Sequence, residues 1–426
     1  MKGIILFSVI FFIIALIIKF KVVPFSEKIK VFIVLFCTIF TISFNSGYEF
    51  LEYNGYSLLR VPIWFLIIVS LGLVNSSIKW SKDDIFIKSI LLLLILNTVL
   101  WGFNITDVVK YFNFIYLYIG IFFLYEIVAS FKRINTQYIL NILVIVATLN
   151  SILGIFQFIF NKKFLPGVWN ESIYFLEETG GVVKRIIGFA GTNNAAGAFG
   201  ALLFCVVLFV YLKEKKYRYI LPLGLSAIFS ILTLTRIGYL AILIQIVIFY
   251  MFTSTNTKKK LLIKYTIFII GLIGGVFILI NYGVSIYEVL FLNRGYTGNY
   301  RITQFDFAIK NVVFDNWLLG VGPGQFNRYL MDVFGKMEID LHSQYLNVLV
   351  EQGIFIFIVF VTFNIILLKK VLNKYKDNLT RCFIWGIFLT SIICFNYNPN
   401  QYYMLNNILY YIIMFSLLKC ELIKEN

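Results

Sequence analysis

Charge is scarce in this sequence. Only 14% of its 426 residues are Asp, Glu, Lys or Arg, against 60% hydrophobic and 19% aromatic residues. That balance excludes a soluble domain and defines a polytopic membrane protein. Acid is scarcer than base, 21 residues against 37, which gives a formal net charge of +16. The excess does not point to nucleic acid, because the lysines fall in short clusters between apolar segments, as the positive-inside rule requires. The five cysteines (Cys37, Cys205, Cys382, Cys394, Cys420) lie in or beside apolar segments without CxxC spacing or a histidine partner, which argues against disulfides and zinc. No internal repeat and no low-complexity linker interrupts the chain. The N-terminal MKGIILFSVIFFIIALIIKF has no small-residue cleavage site after it, so it reads as an uncleaved span.

Thirteen apolar segments are present, at 3–18, 29–44, 61–74, 85–101, 111–128, 138–160, 195–212, 219–234, 237–252, 265–280, 346–368, 382–395 and 404–418. Several are shorter than the roughly 20 residues that cross a bilayer without strain, so the count is twelve or thirteen. If every segment crosses, KFKVVPFSEKIK, IKWSKDD, FKR, KEKKYR, KKKLLIK, KKVLNKYK and the KCELIKEN tail share one side, which is then cytoplasmic. The expected fold is an all-α polytopic membrane protein of one integral domain over 1–426. Two long extracytoplasmic loops are expected at 161–194 and 281–341, the second carrying short amphipathic helices. Within it Ile302, Phe305, Ile309, Val312 and Val313 recur at helical spacing opposite Arg301, Gln304, Lys310 and Asn311. That pattern predicts a helix lying on the outer membrane surface, anchored by Trp317.

The only histidine stands at the end of this loop, in GVGPGQFNRYLMDVFGKMEIDLHSQYLNVLVEQG. Gly320, Gly322, Pro323 and Gly324 predict a turn into an amphipathic run, Phe326–Phe334, that Gly335 can stop. No strand precedes GVGPG and no βαβ unit is possible, so a nucleotide-binding reading fails. Asp340 stands where an N-cap would, before an apolar helix over 341–368, which puts His342 in its first turn. The positive end of a helix disfavours imidazolium, so His342 is expected to be neutral and able to accept a proton near pH 7. A helix-end histidine bonded to a nearby carbonyl is the alternative. About twenty residues counted outward from Lys369 and Lys370 put the hydrocarbon boundary near Leu349, and His342 roughly 10 Å beyond it at phosphate depth. Asp340 either bonds the imidazole or caps the helix. Glu351, nine residues on, faces away from His342 and either pairs with an arginine or orients a polar ligand.

Arginine is unevenly distributed. The topology puts six of nine outside (Arg60, Arg185, Arg236, Arg294, Arg301, Arg328) but only seven of twenty-eight lysines. The planar guanidinium binds phosphate oxygens bidentately, which an ammonium cannot imitate; the alternative is snorkelling at the membrane rim. Arg236 resists that alternative best, since TLTRIGYLA joins two short apolar segments with almost no loop and holds the charge at or below headgroup depth. The external carboxylates Glu171, Glu177, Glu178, Asp306, Asp315, Asp332 and Glu338 show no metal-ligand spacing.

Four motifs resemble, in order, the O-antigen polymerase and O-antigen ligase superfamily of membrane glycosyltransferases. Arg185, Gly188 and Asn194 in RIIGFAGTNNAAGAFGA resemble its arginine, glycine and asparagine run. Arg236 with Gly238 in TRIGYLA resembles an SRGG-like turn, with threonine for serine and isoleucine for the first glycine. Arg301 with GVGPGQF, including Gly322, resembles an arginine preceding a G-x-G-x-x-x-F turn. HSQYLNVLVEQG resembles H-N-x-x-L followed by E-x-G, keeping His342, Leu346, Glu351 and Gly353 with Ser343 for asparagine. The resemblance covers about residues 185–353.

It implies an enzyme of the bacterial inner membrane acting on undecaprenyl-pyrophosphate-linked glycans at its outer face. Arg185, Arg236 and Arg301 would stabilise the pyrophosphate leaving group in place of a metal, and His342 would be the base. Asn194, Gly322, Glu351 and Asp340 would contact substrate; no cofactor is expected. A flippase and a chain-length regulator are the implied partners. The expected reaction is inverting polymerisation of O-antigen or capsular repeat units, with a ligase acting on lipid A core as the alternative. A lipid or polysaccharide transporter would instead line a mid-membrane path with charge.

Overall fold

The computed structural model describes residues 27–43, 47–53, 56–75, 82–131, 134–165, 168–176, 182–253, 297–335, 340–398 and 402–421, with isolated positions between 266 and 282. In chain order these form α1 (Glu27–Ser43), a hairpin of β1 (Gly47–Tyr53) and β2 (Tyr56–Pro62), α2 (Ile63–Asn75), α3 (Lys82–Leu100), α4 (Val108–Ser130) and α5 (Thr136–Phe160). A second hairpin, β3 (Tyr174–Leu176) with β4 (Val182–Lys184), precedes α6 (Asn193–Glu214), α7 (Ile220–Leu232) and α8 (Arg236–Phe252). Then come α9 (Thr297–Ala308), α10 (Phe326–Phe334), α11 (Gln344–Lys374), α12 (Asn378–Asn396) and α13 (Met404–Lys419).

Eleven of the expected apolar segments coincide with helices, and the segments at 3–18 and 265–280 lie outside the described residues. Among the described residues, six helices are long and apolar enough to cross a bilayer, including Val108–Ser130, Thr136–Phe160, Asn193–Glu214 and Gln344–Lys374. The protein is an all-α polytopic membrane protein. The two antiparallel hairpins were not expected; β3 and β4 occupy the 161–194 loop.

α6 is the axis of the bundle, with residues from Ala195 to Val207 buried without interruption. Small residues let its neighbours approach closely. A Cβ on Gly238 of α8 would lie 2.9 Å from the carbonyl oxygen of Gly197 in α6, and one on Gly197 would lie 2.4 Å from the Thr235 side chain. Close backbone contact of this kind is how membrane helices gain packing energy where no hydrophobic drive separates them from lipid. It presses the start of α8 against the start of α6.

α11 is broken at Gly353, whose φ is 76°. The break is satisfied from outside. Val321 and Gly322 donate their N–H to the carbonyls of Val350 and Glu351 at 3.0 and 2.8 Å, and Ile354 donates to Trp317 at 2.8 Å. Non-helical backbone survives at membrane depth only where protein meets its hydrogen-bonding needs, and here the glycine-rich turn meets them. No side chain fits at the contact, since a Cβ on Gly353 would come within 2.2 Å of the Leu318 oxygen. From Ile354 to Leu368, before Lys369 and Lys370, the helix runs roughly 22 Å, so the break lies a little inside the outer boundary of a roughly 30 Å core.

Candidate functional site

α7 and α8 are short, with 13 and 17 residues, roughly 20 and 25 Å at the helical rise. The turn between them is therefore recessed. Arg185, 8% exposed, reaches this turn from the end of the β3–β4 hairpin. Its Nε donates to the Thr233 carbonyl at 3.1 Å and its Nη2 to Thr235 Oγ1 at 3.3 Å. The Thr235 hydroxyl donates to the Asn193 carbonyl at 3.1 Å. One hydroxyl so joins Arg185, the start of α8 and the start of α6, and threonine supplies it as well as the serine of the SRGG-like pattern would. Half-buried Arg236 opens α8 directly after it.

The next link is Tyr403, at the N-cap of α13, which sequence reasoning missed. Its hydroxyl is raised by burial, opposed by hydrogen bonds with Thr192 and Asn194 and by the charge of Arg301. Asn194, in the first turn of α6, is thereby tied to the start of α13, close enough to Arg301 to feel its charge.

Arg301 lies on α9, and here the structure corrects the sequence reading. Gln304, Ala308 and Val312, not the isoleucines, face inward: Gln304 is 5% exposed, whereas Ile302 is 68% exposed. Of the expected polar stripe, Gln304 turns toward the protein and meets His342, whereas Lys310 stays exposed and pairs with Asp306. The Gln304 carbonyl accepts from the backbone N–H of His342 at 3.3 Å and lies 3.4 Å from its Nδ1. An amide oxygen can only accept, so a proton on Nδ1 suits this contact, and the Asp340 backbone carbonyl is a second acceptor for the ring.

His342 is half-buried just outside α11. Burial first, and then the Arg301 charge, hold its pKa down at about 4, with Asp340 opposing. The imidazole is neutral, as expected, although the cause is burial beside a guanidinium; a pKa of about 4 makes it a weaker proton acceptor near pH 7 than the sequence reading expected. Nor is the histidine in the first helical turn. Ser343 is the N-cap, accepting from Leu346 N at 3.1 Å, and the helix begins at Gln344. Serine and asparagine are equivalent caps, so the departure at Ser343 leaves the helix start intact.

Asp340 therefore does not cap. Its carboxylate pairs with Lys110 of α4 and accepts from Asn327 Nδ2 at 3.0 Å. Glu351 and Gly322 form a separate constellation behind it. Glu351 is 0% exposed and accepts from Gly324 N at 2.7 Å and Phe326 N at 3.2 Å. It holds the turn and the first residues of α10, and among the described residues no arginine pairs with it. Gln325, also missed, stitches the turn to α4, accepting from the N–H groups of Thr106 and Asp107, both at 2.9 Å. Beyond the turn, α10 ends at left-handed Gly335 as expected. Arg294 lies outside the described residues.

A groove of about 510 Å3 opens next to His342 between α11 and α12. Its walls are apolar, including Phe305, Leu346, Leu349, Phe357 and Ile392. At its polar end the Ser343 hydroxyl donates to Asn396 at 3.1 Å.

These features define a class: a multi-pass membrane protein with a recess at one face that combines guanidinium groups, a neutral histidine and an adjoining apolar groove. Residues 221–361, about a third of the chain, match the family model described as O-antigen ligase. The chain carries that domain, as the motifs predict for the O-antigen polymerase and ligase superfamily, and Arg236, Arg301, Gly322, His342 and Glu351 lie within the match. Arg185 and Asn194 precede it. No curated protein matches the chain.

Proposed function

We propose that the chain polymerises undecaprenyl-pyrophosphate-linked repeat units at the outer face of the inner membrane. The observation that carries this reading is the convergence of Arg185, Thr235, Asn194, Arg301 and His342 at one recess beside an apolar groove, although they are spread over more than 150 residues of sequence. The groove takes the isoprenoid tail and brings the pyrophosphate to the level of the arginines. The acceptor hydroxyl oxygen bonds to the anomeric carbon while the bond from that carbon to the pyrophosphate oxygen breaks. Direct displacement inverts the centre. The hydroxyl proton passes to His342 Nε2, and the charge left on the lipid pyrophosphate is met by guanidinium groups held in place beforehand. Glu351 and Gly322 shape the turn, and Asp340 with Lys110 fixes the segment that presents His342.

The family description favours a second reading, a ligase that moves finished glycan to lipid A core. Purified protein in liposomes, supplied only with lipid-linked repeat units, separates the two. A polymerase makes a ladder of lengthening glycans from one substrate. Transfer seen only after lipid A core is added would replace the polymerase by the ligase. Orientation is checked by single cysteines at Gly335 and Lys376 in a cysteine-free variant. An impermeant maleimide should label only position 335 from outside, and labelling of position 376 alone would reverse the topology.

A further inference from the structure

A second groove, of about 370 Å3, lies between α8 and α12. Asn396, at one end of α12, meets Ser343 beside His342; this groove is at the other end, near Asn378. Its chemistry is graded along the helix. Arg381, exposed in the first turn of α12, stands at the mouth with Asn378. Trp385 is one turn deeper and Leu389 one turn further, with Ile248 and Phe252 of α8 also contributing to the lining. From Arg381 to Leu389 the groove follows the helix for roughly 12 Å.

Such a surface complements a molecule with an anionic head and a hydrocarbon chain. We propose that the groove holds one anionic glycerophospholipid of the leaflet opposite the recess, with its phosphate on Arg381 and an acyl chain along Trp385 and Leu389. The guanidinium fork suits phosphate oxygens, and an indole at this level is the usual interfacial anchor. Asp377, the acid nearest in sequence, is engaged as the N-cap, accepting from Thr380 N at 2.9 Å. No ion pair to Arg381 occurs among the described residues. The depth is less than half of the roughly 30 Å hydrocarbon core, which suits a chain confined to one leaflet rather than a membrane-crossing isoprenoid. The site is independent of the catalytic reading, although α8 connects it to Arg236 at its other end.

Delipidated full-length protein titrated with phosphatidylglycerol, and counted for bound lipid by native mass spectrometry, tests this. Wild type should retain one phosphatidylglycerol, and Arg381→Gln should bind it roughly tenfold more weakly, the scale of one lost charged contact. Leu389→Trp fills the apolar part, leaves the charge, and should weaken binding as well. Arg328→Gln, an exposed arginine of α10, should change nothing. Arg381 is exposed, so its replacement leaves the fold intact and gives the decisive comparison. Equal binding by wild type and Arg381→Gln would overturn the proposal. So would phosphatidylcholine bound as tightly as phosphatidylglycerol, or displacement of phosphatidylglycerol by an isoprenyl phosphate at equal concentration.

Discussion

Near one end of the bundle, Lys88 of α3 meets Glu126 of α4 at 2.6 Å, with the two side chains 2% and 4% exposed. Asp84 there binds the Tyr125 hydroxyl at 2.6 Å and pairs with Lys419. Near the other, Arg185 is 8% exposed, and two of the bonds that hold it run to a carbonyl and a hydroxyl. The two arrangements have different chemical consequences. An ion pair offsets the charges it joins, so the first cluster compensates its own charge. A carbonyl and a hydroxyl orient a guanidinium without changing its formal charge. Groups held in that way suit the stabilisation of an anion that appears only during reaction.

If the comparison is right, replacing His342 has the largest effect on activity. His342→Ala should lose roughly a hundredfold or more in turnover, the scale of a positioned general base. The fold should survive, because Ser343 caps α11. The wild-type pH profile sharpens the point. The pKa of His342 is held at about 4, so kcat/KM should stay level as pH falls from 8 to 5 and drop only toward 4, where Nε2 takes up a proton. A midpoint near the ordinary histidine value of roughly 6.5 would mean that the imidazole is not held beside Arg301 as described.

A smaller loss, roughly ten- to a hundredfold, is expected for Arg185→Lys and Arg236→Lys. Charge is kept in both, but at position 185 lysine cannot span the Thr233 carbonyl and Thr235 hydroxyl from one planar group, and at position 236 it lacks the fork for phosphate oxygens. Full polymer yield from both variants at normal expression would show that position matters less than charge and would remove the contrast with the Lys88 cluster.

The helices and this recess were legible in sequence to different degrees. Long apolar segments between lysine clusters carry their own signal, and eleven became helices within a few residues of the expected ends. The hairpin of β1 and β2 was hidden because its mixed strands sit in a short stretch between two expected spans, although the sequence Asn54-Gly55 between them is a strong hairpin signal. The arginines and His342 stood out because they are rare residues on the expected side. Gln304 stands opposite Ile302 as the pattern requires, but an amphipathic pattern does not say whether a polar position meets water or a polar site. Tyr403 and Gln325 bear no charge and work through contacts more than 200 residues away, which no local pattern records.

Two changes at the turn should affect stability more than chemistry. Gly353→Ala forces a side chain against the Leu318 oxygen at a left-handed φ, and a cost of roughly 3 kcal/mol or more is expected, read as a lower melting temperature in detergent. Glu351→Gln replaces one acceptor oxygen by an amide donor facing the N–H of Gly324 or Phe326, which should cost about 1–3 kcal/mol for the unsatisfied buried groups. Its KM for the lipid-linked donor should stay near wild type if Glu351 only holds the turn. A several-fold rise in KM with unchanged melting would put the carboxylate in contact with substrate.

The smallest effect on activity is expected at Lys88 and Glu126, and it tests the closed end of the comparison. Lys88→Met alone strands a buried carboxylate and should destabilise the protein by about 3–5 kcal/mol, the usual cost of breaking a buried pair from one side. The double replacement Lys88→Met with Glu126→Met removes both charges, and such exchanges are often neutral or stabilising because neither ion must be desolvated. Melting should therefore recover in the double variant. Turnover per folded molecule should match wild type in both, since this pair lies at the end of α3 and α4 away from His342. Recovered melting with lost turnover would show that the ion pair takes part in the reaction, through a conformational change or a proton path, and the two ends could then no longer be treated as separate.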